Sequence, residues 1–310
     1  MAKVIVGIHG LANKPPRRML QQWWKASILE GLRKNLRIRR PKLHVHLVYW
    51  ADLLHKRARH QDTDFVYDGL FNTQPYLPAA QGALRRYDDR WYDRPIADAR
   101  EALQSGLERL KTELGLDRAV DELLATKLRD LAYYWDPKQK LRDRRGRRGT
   151  ARNVLDAECR SALLSHAGDE ILLIAHSRGS IISYNVLRDI GHSASGGKPP
   201  LPVSHFVTIG SPLGLQMVRD STRRSCWDKK VRTPTVVAER WVNLADRRDP
   251  VAFDTHLRDD YGPNDLGVQV VDDLVLNDYV SPTGAPNHHK SYGYLRTPEM
   301  SDLIASFLSQ

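Results

Sequence analysis

A serine attacks a carbonyl only if its proton is taken as it does so, and a tight strand-to-helix turn is one way to present its hydroxyl. The pentapeptide Ala175-His176-Ser177-Arg178-Gly179 has the form small-x-Ser-x-Gly. Bulk two residues either side of such a serine would collide with the strand and helix that the turn joins. The pattern Gly/Ala-x-Ser-x-Gly arises by chance in roughly one chain in five of this length at average residue usage, so its flanks decide. Glu170-Ile171-Leu172-Leu173-Ile174-Ala175 leads in as a buried strand, and residues 180–190 lead out as an amphipathic helix. Ser177 is therefore the candidate nucleophile.

Serine chemistry at neutral pH calls for a histidine to accept the proton and a carboxylate to hold that histidine's tautomer. Two downstream stretches offer them. Residues 241–251, Trp-Val-Asn-Leu-Ala-Asp-Arg-Arg-Asp-Pro-Val, place Asp246 and Asp249 just after a strand. Asn287-His288-His289-Lys290-Ser291-Tyr292 places two histidines ahead of a closing helix. By residue type alone, either aspartate and either histidine would serve. Adjacent histidines also suit a metal, but no carboxylate or thiolate stands beside them at ligand spacing. No metal is expected, and the serine route needs no cofactor.

The elements that must position these groups alternate. Residues 3–9 read as a buried strand, and Gly10-Leu11-Ala12-Asn13 as a turn. Pro15-Pro16 open a helix with Met19, Leu20, Trp23, Trp24, Ile28, Leu29 and Leu32 at helical spacing. A second strand spans 43–50. Later come a helix over 153–165, strands over 170–175, 205–209 and 240–244, a short strand over 268–271 and a helix over 298–308. This pattern predicts an α/β fold: a mostly parallel sheet with helices on both faces, its chemistry at the carboxyl ends of the strands.

Residues 52–150 differ. They are rich in Arg, Asp and aromatics and poor in β-branched runs, and 97–116 and 118–134 look helical. The expected division is a core of 1–51 and 151–310 with a largely helical insertion, 52–150, as a candidate lid. Aromatic and apolar residues there, among them Tyr76, Leu77, Tyr133, Tyr134 and Trp135, read either as the seam between insertion and core or as the wall of an acyl pocket. The stretch 143–149, Asp-Arg-Arg-Gly-Arg-Arg-Gly, reads as a basic loop, solvated or docked on anionic headgroups.

The chain has 310 residues, 41% hydrophobic and 27% charged, enough for a large core. Two cysteines, Cys159 and Cys226, cannot build a disulfide framework and read as reduced, buried thiols. There is no CxxC, HExxH or GxxxxGK[ST]. No apolar run approaches a membrane span, and Met1–Gly10 lacks the pattern of a cleaved signal. The expected compartment is the cytoplasm; export without a cleaved signal would leave no such mark. A net charge of +11 attracts phosphate-rich surfaces. With no nucleic-acid motif beside it, nucleic acid is not the expected partner. The oligomeric state leaves no trace in the sequence.

With its strand before and helix after, the pentapeptide resembles the nucleophile turn of α/β-hydrolase fold enzymes, and the lipase/esterase branch with the fungal-type lipases more narrowly. His176 and Gly179 match the usual Gly-His-Ser-x-Gly, while Ala175 replaces its first glycine. The resemblance covers about 1–50 and 151–310. It implies the chain order Ser, acid, His. It implies an oxyanion hole from the Arg178 N–H and from Leu11 in His9-Gly10-Leu11, with Ala12 the fallback. It favours Asp249, in Asp249-Pro250-Val251, over Asp246, and His289, by its spacing to Tyr292, over His288. The function implied is a carboxylic ester hydrolase acting on a small-molecule or lipid-like ester; the basic charge, separately, suits peripheral contact with an anionic membrane. Thioesterase, amidase or acyltransferase chemistry on the same scaffold is the alternative, and a non-catalytic module binding anionic lipid or nucleic acid is a further one.

Overall fold

The apolar strands pair into one sheet. In a computed structural model describing residues 1–10, 13–55, 74–88, 133–193, 201–225, 231–252 and 254–309, β1 (Lys3–Ile8), β2 (Val45–Val48), β5 (Glu170–His176), β6 (Val203–Ile209), β7 (Val237–Ala245) and β8 (Val270–Leu274) form a six-stranded sheet. Its order is β2-β1-β5-β6-β7-β8 and every pairing is parallel. From β1 the chain steps outward to β2, then returns past β1 to β5 and continues in the opposite direction. The reversal leaves a crevice beyond the carboxyl ends of β1 and β5, where parallel sheets bind their ligands.

Both faces of the sheet are covered, which is why its central strands are nearly continuous apolar runs. On one face α1 (Arg17–Leu36), α6 (Ser291–Leu295) and α7 (Pro298–Ser309) bury a cluster. Leu20, Trp24, Ile28 and Leu32 of α1 pack there at successive helical turns with Ile5, Leu172 and Ile174 of the strands. On the other face α3 (Ala151–Leu164), α4 (Arg178–Ser193) and α5 (Gln216–Ser225) cover Val4, Val6, Leu173 and Trp241, with Leu155, Ile181 and Val218 among the helical contacts. α1 ends at Leu36, short of Pro41, because Arg37 turns left-handed (φ 59°) and the N–H groups of Arg37 and Ile38 bond back to Arg33 and Leu32.

Among the described residues the elements expected by periodicity form, with ends moved by up to four residues. The strand expected over 43–50 narrows to β2 and that over 268–271 moves to β8. α5, α6 and the short α2 (Ala51–Leu54) were not expected. Most of the expected helical insertion lies outside the described residues, as do Phe65, Trp91 and Cys226. Residues 133–135 are helical. The stretch 143–149 is the exposed turn of a hairpin. β3 (Lys140–Arg142) and β4 (Arg148–Thr150) form an antiparallel hairpin around it. Asp143 accepts the N–H groups of Arg145 and Arg147 and pairs with the Arg147 guanidinium. Arg144 pairs with Asp52 and Glu158 and donates to the Tyr49 carbonyl. Cys159 is a buried free thiol. No helix among the described residues is long and apolar enough to cross a membrane.

Residues 74–79 form a strap across α1. Tyr76 and Leu77 pack on the α1 face, and the buried Tyr134 lies in the opposite core and donates to Asp156, so these three belong to the seam. The strap is held by charge inside the protein. Glu30 of α1 accepts from the Tyr76 hydroxyl (2.9 Å) and the Ala79 N–H (2.9 Å) and pairs with Lys34 and the buried Arg296. Arg296 also reaches Asp278 (2.8 Å) and the Leu77 carbonyl (2.6 Å). Burial alone would raise the Glu30 pKa, but Lys34, Arg296, Tyr76 and Ala79 together hold it below the ordinary value. Removing one partner of such a network strands charge in the core. Arg296→Met is expected to lower unfolding stability by about 3 kcal/mol or more at neutral pH, measured by urea titration.

Candidate active site

β5 ends at His176 and α4 begins at Arg178, so Ser177 makes the whole turn. Its φ is +55°, in the left-handed region that non-glycine residues avoid. Holding a residue there costs of order 1–3 kcal/mol, and its surroundings must impose it. Here the Ser177 N–H donates to the Ile209 carbonyl (3.1 Å). The Ser177 carbonyl accepts the Ser180 N–H (2.9 Å) and the Ser180 hydroxyl, which also meets the Ser211 hydroxyl at 2.8 Å. Gly179 has to be small, as the sequence implied. A Cβ on Gly179 would stand 2.7 Å from the Ile8 carbonyl oxygen, against the end of β1.

The two remote stretches converge on this turn. Ser177 Oγ lies 3.0 Å from His289 Nε2, and His289 Nδ1 lies 2.9 Å from both carboxylate oxygens of Asp249. Since the carboxylate can only accept, Nδ1 carries the proton and Nε2 is left to accept from the serine. Ser177 is 2% exposed, Asp249 1%, and the His289 side chain 14%. Burial pushes the Asp249 pKa upward. The facing His289, the Tyr294 hydroxyl (2.7 Å) and the Val251 N–H (2.8 Å) outweigh it and hold the group below its ordinary 3.8.

The alternatives lie close by with other work. Asp246 accepts three bonds from Arg248, through N, Nε and Nη2, and one from the Asn277 N–H (2.6 Å). His288 donates through Nδ1 to the Asn277 carbonyl (3.0 Å). Asp246 therefore braces the acid loop, and His288 is tied to residue 277.

On the other side of the serine, Gly10 packs against it. His9 is buried, stacked on Trp50 with ring centroids 4.6 Å apart. Its Nε2 accepts the Trp50 N–H (3.2 Å), so Nδ1 donates to the Gly10 carbonyl (2.7 Å). Burial, with the charge of Lys14 second, pulls its pKa down to about 3, so it stays neutral and keeps this polarity at neutral pH. Arg178 is the first residue of α4, and its backbone N–H stands at the positive end of that helix, where a developing oxyanion is best met. Leu11 and Ala12, the expected second donors, lie outside the described residues. Among the described residues no group of three or more His, Cys, Asp or Glu could hold a metal ion.

Several contributors were given no role by the sequence. His176 donates through Nε2 to the His289 carbonyl (2.8 Å) and lies against its ring. The Asn277 amide donates to the carbonyls of His288 and Lys290, either side of His289 (2.8 Å each). The Tyr294 hydroxyl receives the Asp246 N–H (3.0 Å) and passes its own proton to Asp249. Gly210, at the end of β6 with φ +52°, admits the triad's far side: a Cβ there would lie 2.7 Å from Asp249 Oδ2. Gly210 directly follows the strand expected over 205–209, and nothing in the sequence marks it for this contact.

No family model, curated protein or solved structure matches the chain.

A carboxyl whose folded pKa lies below its unfolded value stabilises the fold above the unfolded value, and that contribution drains away as pH falls through the folded one. Urea unfolding of the wild type and Asp249→Asn is expected to show a stability gap favouring the wild type that is constant above about pH 5 and closes as pH falls below 3.8.

Proposed function

We propose that this chain is a serine hydrolase of the α/β-hydrolase type that cleaves carboxylic esters through an acyl-enzyme. The observation that carries the reading is the unbroken run from Ser177 Oγ to His289 Nε2 (3.0 Å) and from His289 Nδ1 to Asp249 (2.9 Å). Its place at the sheet's topological reversal supports the same reading.

In this mechanism His289 Nε2 takes the serine proton as Ser177 Oγ attacks the ester carbonyl. The carbonyl oxygen gains negative charge and is met by the Arg178 N–H, with Leu11 the proposed second donor. The tetrahedral intermediate collapses, the C–O bond to the alcohol breaks, and His289 hands its proton to the departing oxygen. Water then repeats the sequence on the acyl-enzyme, releasing the acid and restoring Ser177. Asp249 stays ionised throughout, since its depressed pKa resists protonation. It holds the Nδ1 proton and steadies the imidazolium that forms in each half-reaction.

The substrate class we assign is a lipid-like ester. The motifs resemble those of lipases, and a net charge of +11 favours approach to anionic lipid surfaces. Arg144 and Arg147 of the hairpin turn are each paired with a carboxylate at the surface, and the turn as a whole is exposed.

Hydrolysis of p-nitrophenyl esters of graded chain length is expected to fall at least about a thousandfold in kcat/KM for Ser177→Ala and His289→Ala. Asp249→Asn is expected to lose a comparable factor, and Asp246→Asn far less. Thioester and amide analogues measured alongside identify the leaving group. Undiminished turnover by Ser177→Ala would contradict the proposal.

A further inference from the structure

We infer that Gln74 is a positioning residue for His289, acting through Asn287. The inference rests on reading His289 as the base that activates Ser177.

Of the backbone groups around His289, the carbonyls of residues 288, 289 and 290 are held from the sheet side, by Asn277 and His176. The His289 N–H is held differently. It donates to Asn287 Oδ1 (3.1 Å), an Asx turn that bends the chain two residues ahead of the imidazole. Asn287 is itself anchored by its N–H on the Tyr279 carbonyl (2.9 Å), while its side-chain Nδ2 donates to Gln74 Oε1 (2.9 Å). Gln74 and Asn287 are both buried.

This arrangement has one satisfiable polarity. The His289 N–H can only donate, so the Asn287 oxygen must face it. The Asn287 amide nitrogen then faces Gln74, which must offer oxygen in return. With no acceptor at position 74, the buried Asn287 amide nitrogen has no partner there, and the Asn287 side chain loses the bond that fixes its oxygen toward the His289 N–H. An oxygen at position 74 thus keeps the turn that aims His289 Nε2 at Ser177.

Position 74 is tied to a network remote from the site. It begins the strap clamped by Glu30 and Arg296, and the next residue, Pro75, accepts the Tyr279 hydroxyl at 2.6 Å. A buried ion network on the α1 face is thereby joined to the proposed catalytic base through two amide side chains.

The test compares steady-state kinetics of the full-length wild type, Gln74→Met, Gln74→Glu, Tyr279→Phe and Ser177→Ala on one p-nitrophenyl ester. Gln74→Met keeps the length of the side chain but offers no oxygen. It is expected to lower kcat roughly ten- to a hundredfold with KM unchanged, the signature of a misplaced base in an intact binding site. Gln74→Glu, which restores an acceptor, is expected to recover most of that loss. Tyr279→Phe, which frees the strap at Pro75, is expected to lower kcat several-fold with KM again unchanged. Wild-type kcat in a folded Gln74→Met would overturn the inference, as would equal losses in Gln74→Met and Gln74→Glu. Should Gln74→Met fail to fold, wild-type kcat in Tyr279→Phe would overturn it. Activity surviving in Ser177→Ala would instead remove the hydrolase reading on which it stands.

Discussion

Asp249 is a carboxylate with almost no access to water, and its ionised state is what the rest of the site is arranged to tolerate. Removing such a group from water is costly, and the cost returns as a raised pKa unless donors surround it. Here the donors come from three directions. Val251 supplies an N–H from its own turn, Tyr294 a hydroxyl from α6, and His289 a ring N–H from the loop before α6. Gly210 leaves the fourth side open by having no side chain to fill it. The same contacts fix the histidine's tautomer, so one electrostatic constraint keeps the carboxylate ionised and leaves His289 Nε2 as an acceptor.

The fold meets this constraint through topology. β5 delivers Ser177, β7 delivers the Asp249 turn, and β6 lies between them and contributes Gly210. Because the strands are parallel, all these ends lie on one side of the sheet, together with the end of β1 that carries His9 and Gly10. His289 belongs to no strand and must be held by other means. That accounts for the dense bonding of residues 287–290 to Asn277, His176 and Asn287. A strained serine needs a fixed partner, since an imidazole displaced by an ångström no longer meets its hydroxyl.

Much of this was legible in the residues. Strands buried on both faces announce themselves as β-branched runs, and the serine's turn needs small residues that are visible at Ala175 and Gly179. Choosing between neighbours was harder. Asp246 and Asp249 both follow β7, and only the third dimension shows one facing His289 and the other facing Arg248. Asn277, Tyr294 and Gln74 were silent because amides and phenols are common and their roles depend on partners set by the fold, 45 residues away for Tyr294 and Asp249 and 213 for Gln74 and Asn287. The basic stretch at 143–149 read as a loop and is an exposed hairpin turn, but its ion pairs were not visible in the sequence. Arginines written in series look free until the turn of a hairpin brings Asp52, Glu158 and Asp143 to two of them.

The most direct measurement is a crystal structure of the protein after reaction with an alkyl fluorophosphonate, whose tetrahedral phosphorus imitates the attacked carbonyl. The account predicts phosphorus bonded to Ser177 Oγ and its phosphoryl oxygen about 2.7–3.1 Å from the Arg178 backbone nitrogen, with His289 still bonded to Asp249. An unmodified Ser177, or an adduct whose oxygen points away from the start of α4, would contradict it.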